Sequence, residues 1–407
     1  MDGAIIIIGD EILSGVVAEV NVVYLTRRCA GLGIKVRRVF TVADEPKDII
    51  WALGQARYIA RLVFVSGGLG PTPDDCTRHV ISKHFSMPLV QDEETMNSII
   101  DHFIRCGTSM PAWSENQALI PQGAQKLANP LGTAPGLLVK RRGSHYFFLP
   151  GVPDELKATF EKSVIEVLAD VLPEPEEHRA MIRTTGIPEA RLCEAVDQHI
   201  KNKGLSVSFL PSLAGVDLFI RGKEKAVFDE VLEALRKAVG DRIYAETEQE
   251  LKQVVGVMLK ERKLTVAVAE SCTGGLLGSF LTGVPGSSEY FVGGIIAYSN
   301  DMKVKQAGVT RETLEKFGAV SRETAEAMAS GVQTRLSSNI GIGITGIAGP
   351  TGGTPAKPVG LVYIGLAAEK TAHCEKHIFA GDRERVREQA VTAALDLIRR
   401  HLSGTVK

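Results

Sequence analysis

VAVAESCTGGLLGSF, residues 266–280, begins as an apolar run, breaks into Ser271-Cys272-Thr273-Gly274-Gly275, and resumes as a second apolar run. The first part reads as a buried strand and the last as a helix, so this stretch is a strand, a turn and a helix. Such a turn places backbone N–H groups and the positive end of a helix dipole beside a serine. It suits an anion, either a bound phosphate or the oxyanion formed when a nucleophile attacks a carbonyl, and glycine lets the backbone come close. The fold expected from this unit is α/β, with helices packed on a sheet.

The same rhythm extends outward. In the N-terminal part, AIIII (4–8), VRRVFTV (36–42), RLVFVSGG (61–68) and HYFFLPG (145–151) read as strands between helical stretches, which predicts a parallel or mixed sheet. PEPEE near residue 173 reads as a linker. The segment of roughly 178–245 reads as a compact α+β module: strands at RAMIRTTG, LSVSFLP and VDLFIRG, helices at ARLCEAVDQHI and VFDEVLEALRKAV. Beyond it, KLTVAVAE, GGIIAYS, NIGIGITG and GLVYIGLA read as strands, and Thr310 and Ser321 as helix N-caps. Ala325, Met328, Ala329, Val332 and Leu336 form a helical apolar stripe expected to be core. The division is therefore 1–172, 173–246 and 247–407.

Composition limits the function classes. With 407 residues, 44% of them hydrophobic, and 41 glycines, the chain reads as a multidomain globular protein rather than a disordered one. A formal net charge of -1 without a basic block argues against a nucleic-acid binder. Cysteines at 29, 76, 106, 193, 272 and 374 have neither CxxC spacing nor a His/Cys cluster, which fits a reduced cytoplasm and no structural zinc. The N-terminus, MDGAIIIIGDEIL, lacks the pattern of a signal peptide, and no stretch is long enough to cross a membrane.

Several groups accompany the serine turn at strand ends. AYSNDMKVK offers Tyr298, Ser299, Asn300 and Lys303, and a lysine with a lowered pKa can act as a base for a serine that has no histidine triad. GITGIAGPTGG (343–353) lacks the lysine of a P-loop and reads as a second ligand-cradling loop. Arg383 and Arg387, four apart at a helix start, share one face. Each has a bland alternative: Ser271 as a helix N-cap, Lys303 as a solvated lysine, and the arginines paired with Asp382, Glu384 and Glu388.

Near the N-terminus, VSGGLGPTPDDCT (65–77) is a strand, a glycine turn and then Asp74 and Asp75. Glycines admit phosphate oxygens to the backbone, and neighbouring carboxylates commonly hold a bridging divalent cation. Asp10 and Glu11 follow the first strand and Asp44 the second. The alternative is that all five acids are helix caps and dipole partners.

AESCTGG, PGSSEYFVGGIIAYSNDMK, GAVS, GITGIAGPTGG, KPVGLVYIGLA and AGDRERVREQA together resemble the C-terminal domain of the CinA family, over nearly all of 250–400. The resemblance implies a nicotinamide mononucleotide deamidase that needs no cofactor. In it Ser271 is the nucleophile, Lys303 its general base, and Tyr298 and Thr273 neighbours. Gly274, Gly275, Asn300, Thr345, Gly346, Arg383 and Arg387 would lie against the nucleotide. SGGLGPTPDDCT, NPLGTAPG (129–136) and LPGVPDEL (149–156) resemble the molybdopterin-binding fold at the N-terminus of the same family, over about 3–170. That implies metal-dependent cleavage of ADP-ribose to AMP and ribose 5-phosphate. Glu11, Asp44, Asp74 and Asp75 would hold a divalent cation such as Mg2+, with K+ alongside. Gly67, Gly68, Gly70, Thr72, Asn129, Gly132 and Thr133 would contact the nucleotide. This chain has GDEIL where the family pattern is GTELL, and Ala43-Asp44 where it is Gly-Asp. A cytoplasmic homodimer acting in pyridine nucleotide salvage, binding neither nucleic acid nor membrane, is the expectation. The competing readings are a non-catalytic nucleotide- or pterin-binding N-terminal module, and a scaffold in competence or DNA damage.

Overall fold

A computed structural model of the chain describes residues 1–173, 177–212, 214–369 and 371–406. The chain divides into two compact units, Met1–Pro175 and Glu176–Lys407. Of the linker read at PEPEE, residues 174–176 lie outside the described residues.

The first unit contains strands β1 (Asp2–Ile8), β2 (Lys35–Val42), β3 (Leu62–Ser66), β4 (Leu89–Gln91), β5 (Leu119–Pro121), β6 (Gln125–Leu127), β7 (Gly136–Arg141) and β8 (Ser144–Leu149). Six form one sheet in the order β2-β1-β3-β8-β7-β6, while β4 and β5 pair separately. The run of isoleucines explains the centre: Ile5 and Ile7 enter one core, Ala4, Ile6 and Ile8 the opposite one. A strand apolar on both faces is stable only where both are covered, which is the setting of parallel strands. β1, β2, β3 and β8 are indeed parallel. The sheet is mixed because β7 and β8 form an antiparallel hairpin, turned through Arg142 (φ 50) and Gly143 (φ 76).

In the second unit, β9 (His178–Thr184), β10 (Ser206–Pro211), β11 (Val216–Gly222) and β12 (Ile243–Ala245) make a four-stranded sheet, order β10-β11-β9-β12. Helices Glu189–Ile200 and Lys225–Val239 bury Leu192, Val196, Val231 and Leu235 with Ile182 and Leu218 from the strands, an α+β arrangement. This sheet belongs to the same compact unit as the C-terminal residues. Arg399 donates to the Asp241 carbonyl at 2.7 Å, and Arg183 to those of Glu248 and Gln249 at 3.1 and 3.0 Å.

The remaining strands, β13 (Val266–Glu270), β14 (Phe291–Ile296), β15 (Ile340–Gly346), β16 (Leu361–Ala368) and β17 (Thr371–Ile378), are ordered β14-β13-β15-β16-β17. β14, β13 and β15 are parallel, and β16 and β17 return antiparallel. After β13 the chain crosses to one side and later returns to the other, so the strand order switches at β13. The carboxyl ends of strands at such a switch border a crevice where α/β proteins bind ligands. Helix Arg322–Leu336 lies against this sheet with Ala325, Met328, Ala329 and Val332 buried, as the apolar stripe predicts. The glycines of IGIGITG serve that packing: a Cβ built at Gly341 or Gly343 would collide with the helix backbone at Ala329 or Ala325.

Candidate active site and nucleotide cavity

At the carboxyl end of β13, Ser271 is nearly buried, and its amide donates to the Ile344 carbonyl of β15 at 2.9 Å. Helix Asn300–Gln306 follows β14 and carries Lys303 inward, 2% exposed. Lys303 Nζ donates to Ser271 Oγ at 3.0 Å, to the Ala297 carbonyl at 2.9 Å and to the Tyr298 carbonyl at 3.2 Å. No carboxylate pairs with it among the described residues, and burial lowers its pKa below the ordinary lysine value. The reading of Lys303 as a solvated lysine is thus excluded. A buried amine with a lowered pKa, within hydrogen-bond reach of a serine hydroxyl, can take that proton. Cys272, the neighbouring thiol, is pushed up to about 12 by burial and stays protonated.

The helix cap is not Ser271. Helix Leu276–Thr282 begins after Gly275, whose φ of 96° is left-handed. Its N-terminal amides are occupied by Glu270, a residue the sequence reading did not single out. The Glu270 carboxylate, 1% exposed, accepts from the amides of Gly275 and Leu277 at 3.1 Å each and Gly278 at 2.9 Å. An anion at Ser271 therefore cannot draw on this helix terminus. The Gly274 amide is also used, by the Ser271 carbonyl at 3.2 Å. Among the described residues the amides of Cys272 and Thr273 bond no carbonyl, the Cys272 amide lying beside its own thiol, and both are free to face an oxyanion.

Arg387 comes to this turn, and Arg383 to the adjoining loop of Gly349 and to Tyr298, instead of pairing with their acidic neighbours. Arg387 donates to the Thr273 carbonyl at 2.9 Å, and Arg383 to the Gly349 carbonyl at 2.8 Å and the Tyr298 hydroxyl at 3.1 Å. Tyr298 and Asn300 are exposed beside the dyad. Thr273 is fully buried, its hydroxyl without a partner among the described residues. Thr345 is buried too, donating to the Ala319 carbonyl at 2.6 Å. Gly346 is needed for close packing, since a Cβ there would lie 2.7 Å from the Leu361 carbonyl. The glycines of GITGIAGPTGG are thus partly explained by packing alone.

In the first unit, a cavity of about 450 Å³ lies at the carboxyl ends of β1 and β3. Glu11, Asp44, Asp74 and Asp75 all line it, together with Gly67, Gly68, Gly70 and Thr72. Asn129, Gly132 and Thr133 do not. Asn129 is consumed in its own loop, bonding the Ala134 carbonyl, Glu155 and the amides of Leu131 and Gly132. Asp75 builds the glycine turn, accepting from the Gly70 amide at 2.8 Å and from Thr72. Asp10 and Asp44 bond each other's backbone amides at 3.3 and 2.9 Å, so the departure from the family pattern is a loop clasp. Burial, and then the charges of Asp10, Glu11 and Asp75, raise the Asp44 pKa. A cation would relieve that repulsion. Yet among the described residues no three His, Cys, Asp or Glu side chains could hold a metal ion by themselves. The cavity fits a cation that takes part of its shell from phosphate oxygens, as Mg2+ does, and not a protein-only cage.

Two further residues, one in the cavity wall and one beneath its glycine loop, escaped the sequence reading. Arg78, 3% exposed, donates to the Gly70 carbonyl at 3.1 Å and to that of Leu69, a buried cation beneath the glycine loop. Asn21 lines the cavity and ties Ser66 to the Gly151 carbonyl. Asn21 lies in no recognisable motif, because its partners come from distant segments, while Arg78 directly follows the quoted motif and folds back onto its glycine loop. All six cysteines are free, and among the described residues no helix is long and apolar enough to cross a membrane.

Residues 248–402 match the family model "CinA C-terminal domain", and residues 4–170 match "Probable molybdopterin binding domain". A CinA-like protein of Kosmotoga olearia is 39% identical over 410 residues, covering 99% of each chain. Another, of Gemmatimonas aurantiaca, is 38% identical over 412 residues, covering 98% of this chain and 96% of its own. A solved structure from Thermoplasma acidophilum, described as the protein CinA with unknown function, is 33% identical with a TM-score of 0.38, covering 42% of this chain and 98% of that one.

Proposed function

The chain belongs to the CinA family, and from that premise we propose that its C-terminal part hydrolyses the carboxamide of nicotinamide mononucleotide to nicotinic acid mononucleotide and ammonia. The observation that carries this reading is the 3.0 Å hydrogen bond between the buried Lys303 amine and Ser271 Oγ. Lys303, as the neutral amine, takes the Ser271 proton while Oγ attacks the carboxamide carbon. The carbonyl oxygen becomes an oxyanion facing the Cys272 and Thr273 amides. Collapse breaks the C–N bond, Lys303 returns its proton to the departing nitrogen, and ammonia leaves an acyl-serine. Water, deprotonated by Lys303, then attacks the ester and restores Ser271. Arg383, exposed at the helix start, is the cation assigned to the nucleotide phosphate. Ammonia release from nicotinamide mononucleotide by the full chain and by Ser271→Ala tests this. Loss of at least ~hundredfold is expected; turnover retained by the variant would remove the serine mechanism.

For the first unit the reading is cleavage of ADP-ribose by water to AMP and ribose 5-phosphate. It is supported by a glycine loop sharing one cavity with six acidic residues, Glu11, Asp44, Asp74 and Asp75 among them. A bound divalent cation would neutralise the pyrophosphate and polarise its phosphorus. Glu11 and Asp74 have no other hydrogen-bond duty through their carboxylates among the described residues and would hold it, while the glycine loop binds the phosphates. The commitment of Asp75 to its own loop favours the rival reading, a nucleotide- or pterin-binding module without catalysis. Formation of AMP from ADP-ribose and Mg2+ by the full chain, lost in Asp74→Ala, separates the two.

A further inference from the structure

Apart from both sites, a cavity of about 640 Å³ opens in the second unit where β17 and the last helix, Arg383–Leu402, meet the loops after β9 and β10. Its walls carry Arg242, Lys376, Arg385 and Arg400 against Glu375 and Asp396. The two carboxylates are already saturated. Asp396 pairs with Arg399 at 2.7 Å and with Arg400 at 2.8 Å, and Glu375 with Arg400 at 2.9 Å and His377 at 3.1 Å. Burial alone would push the Glu375 carboxyl up, but the bonds from His377 and Arg400 hold it at about 2. It is a fixed anion with its partners in place.

The other cations are compensated weakly or not at all. Lys376 and Arg385 make neither an ion pair nor a side-chain hydrogen bond among the described residues, and Arg242 has only Asp241, at 3.8 Å, and the Gly186 carbonyl. A second, independent feature is Thr185. It lines the cavity and is 3% exposed, yet its hydroxyl has no protein partner among the described residues. A hydroxyl left open in the cavity wall beside two uncompensated cations and the weakly paired Arg242 is a donor set that suits a tetrahedral dianion. We propose that this cavity is a binding site for a phosphate group, either free or carried by a small metabolite. Arg385 and Gln389 lie on the side of the last helix away from Arg383 and Arg387, so the site shares no cation with the serine turn and does not depend on the deamidase reading.

The test is calorimetric titration of inorganic phosphate into the full chain carrying Arg383→Ala and Arg387→Ala, which removes the cations of the serine turn. Saturable binding is expected. It should weaken at least ~tenfold on adding Arg385→Glu or Lys376→Glu, both exposed positions whose substitution leaves the core intact. Added NaCl should weaken it as well. Absence of saturable binding in the parent chain, or affinity within about twofold in both charge-reversed variants, would overturn the proposal.

Discussion

Lys303 shows how much one side chain's surroundings decide. The same residue on a solvated helix face would be an ordinary cation. Here helix Asn300–Gln306 turns it inward, where three oxygens receive its hydrogens and burial lowers its pKa from 10.5. Because only the neutral amine accepts a proton, the deamidase reading predicts that kcat/KM rises with pH through that lowered pKa, with a midpoint below the ordinary lysine value. A pH–rate profile that is flat across the neutral range and up to the lysine value would contradict it. Lys303→Arg keeps the charge but not the base, since a guanidinium does not lose its proton. Its turnover should fall at least ~hundredfold, like that of Lys303→Ala, whereas a merely electrostatic role would leave Lys303→Arg active.

Among the elements, the turn after β13 depends on Glu270 more than on its serine. Three amides converge on one buried carboxylate, and removing it leaves them without a partner. Glu270→Ala should cost about 2–4 kcal/mol in urea unfolding, from lost charge-assisted bonds and unsatisfied N–H groups. Glu270→Gln keeps one acceptor oxygen and should cost less. The strand–helix contact at Gly343 makes a second demand: Gly343→Ala drives a methyl into the Ala325 carbonyl, and should destabilise by about 1–3 kcal/mol in the same measurement. In IGIGITG the alternation of isoleucine with glycine reads as a strand from sequence. That the glycines admit a helix backbone does not, because the helix lies earlier in the chain and no local pattern links them.

Over the whole molecule, two compact units each carry their own buried cores. Calorimetry of the full chain is expected to need two transitions to fit its unfolding. A third is not expected for the four-stranded sheet of β9 to β12, because Arg399 and Arg183 bind it to the C-terminal residues of its own unit. Sequence placed a boundary near 246 because the chain there leaves one sheet and starts another. The hydrogen bonds that join those sheets connect residues far apart in sequence, so composition carries no sign of them.

The sequence by itself determined the α/β alternation, eleven of the strands but not β4 to β7, β12 or β17, the N-caps at Thr310 and Ser321, and the family motifs bearing Ser271 and Lys303. Those are local: periodicity, capping and turn chemistry act over a few residues. Only the tertiary structure decided that Ser271 and Lys303 touch, that Glu270 and not an incoming anion fills the helix terminus, that Asn129 is spent on its own loop and that Thr345 is spent on the Ala319 carbonyl. Hydrogen-bond partnership depends on which segments the sheet order brings side by side, and that order is set by burial across the whole unit.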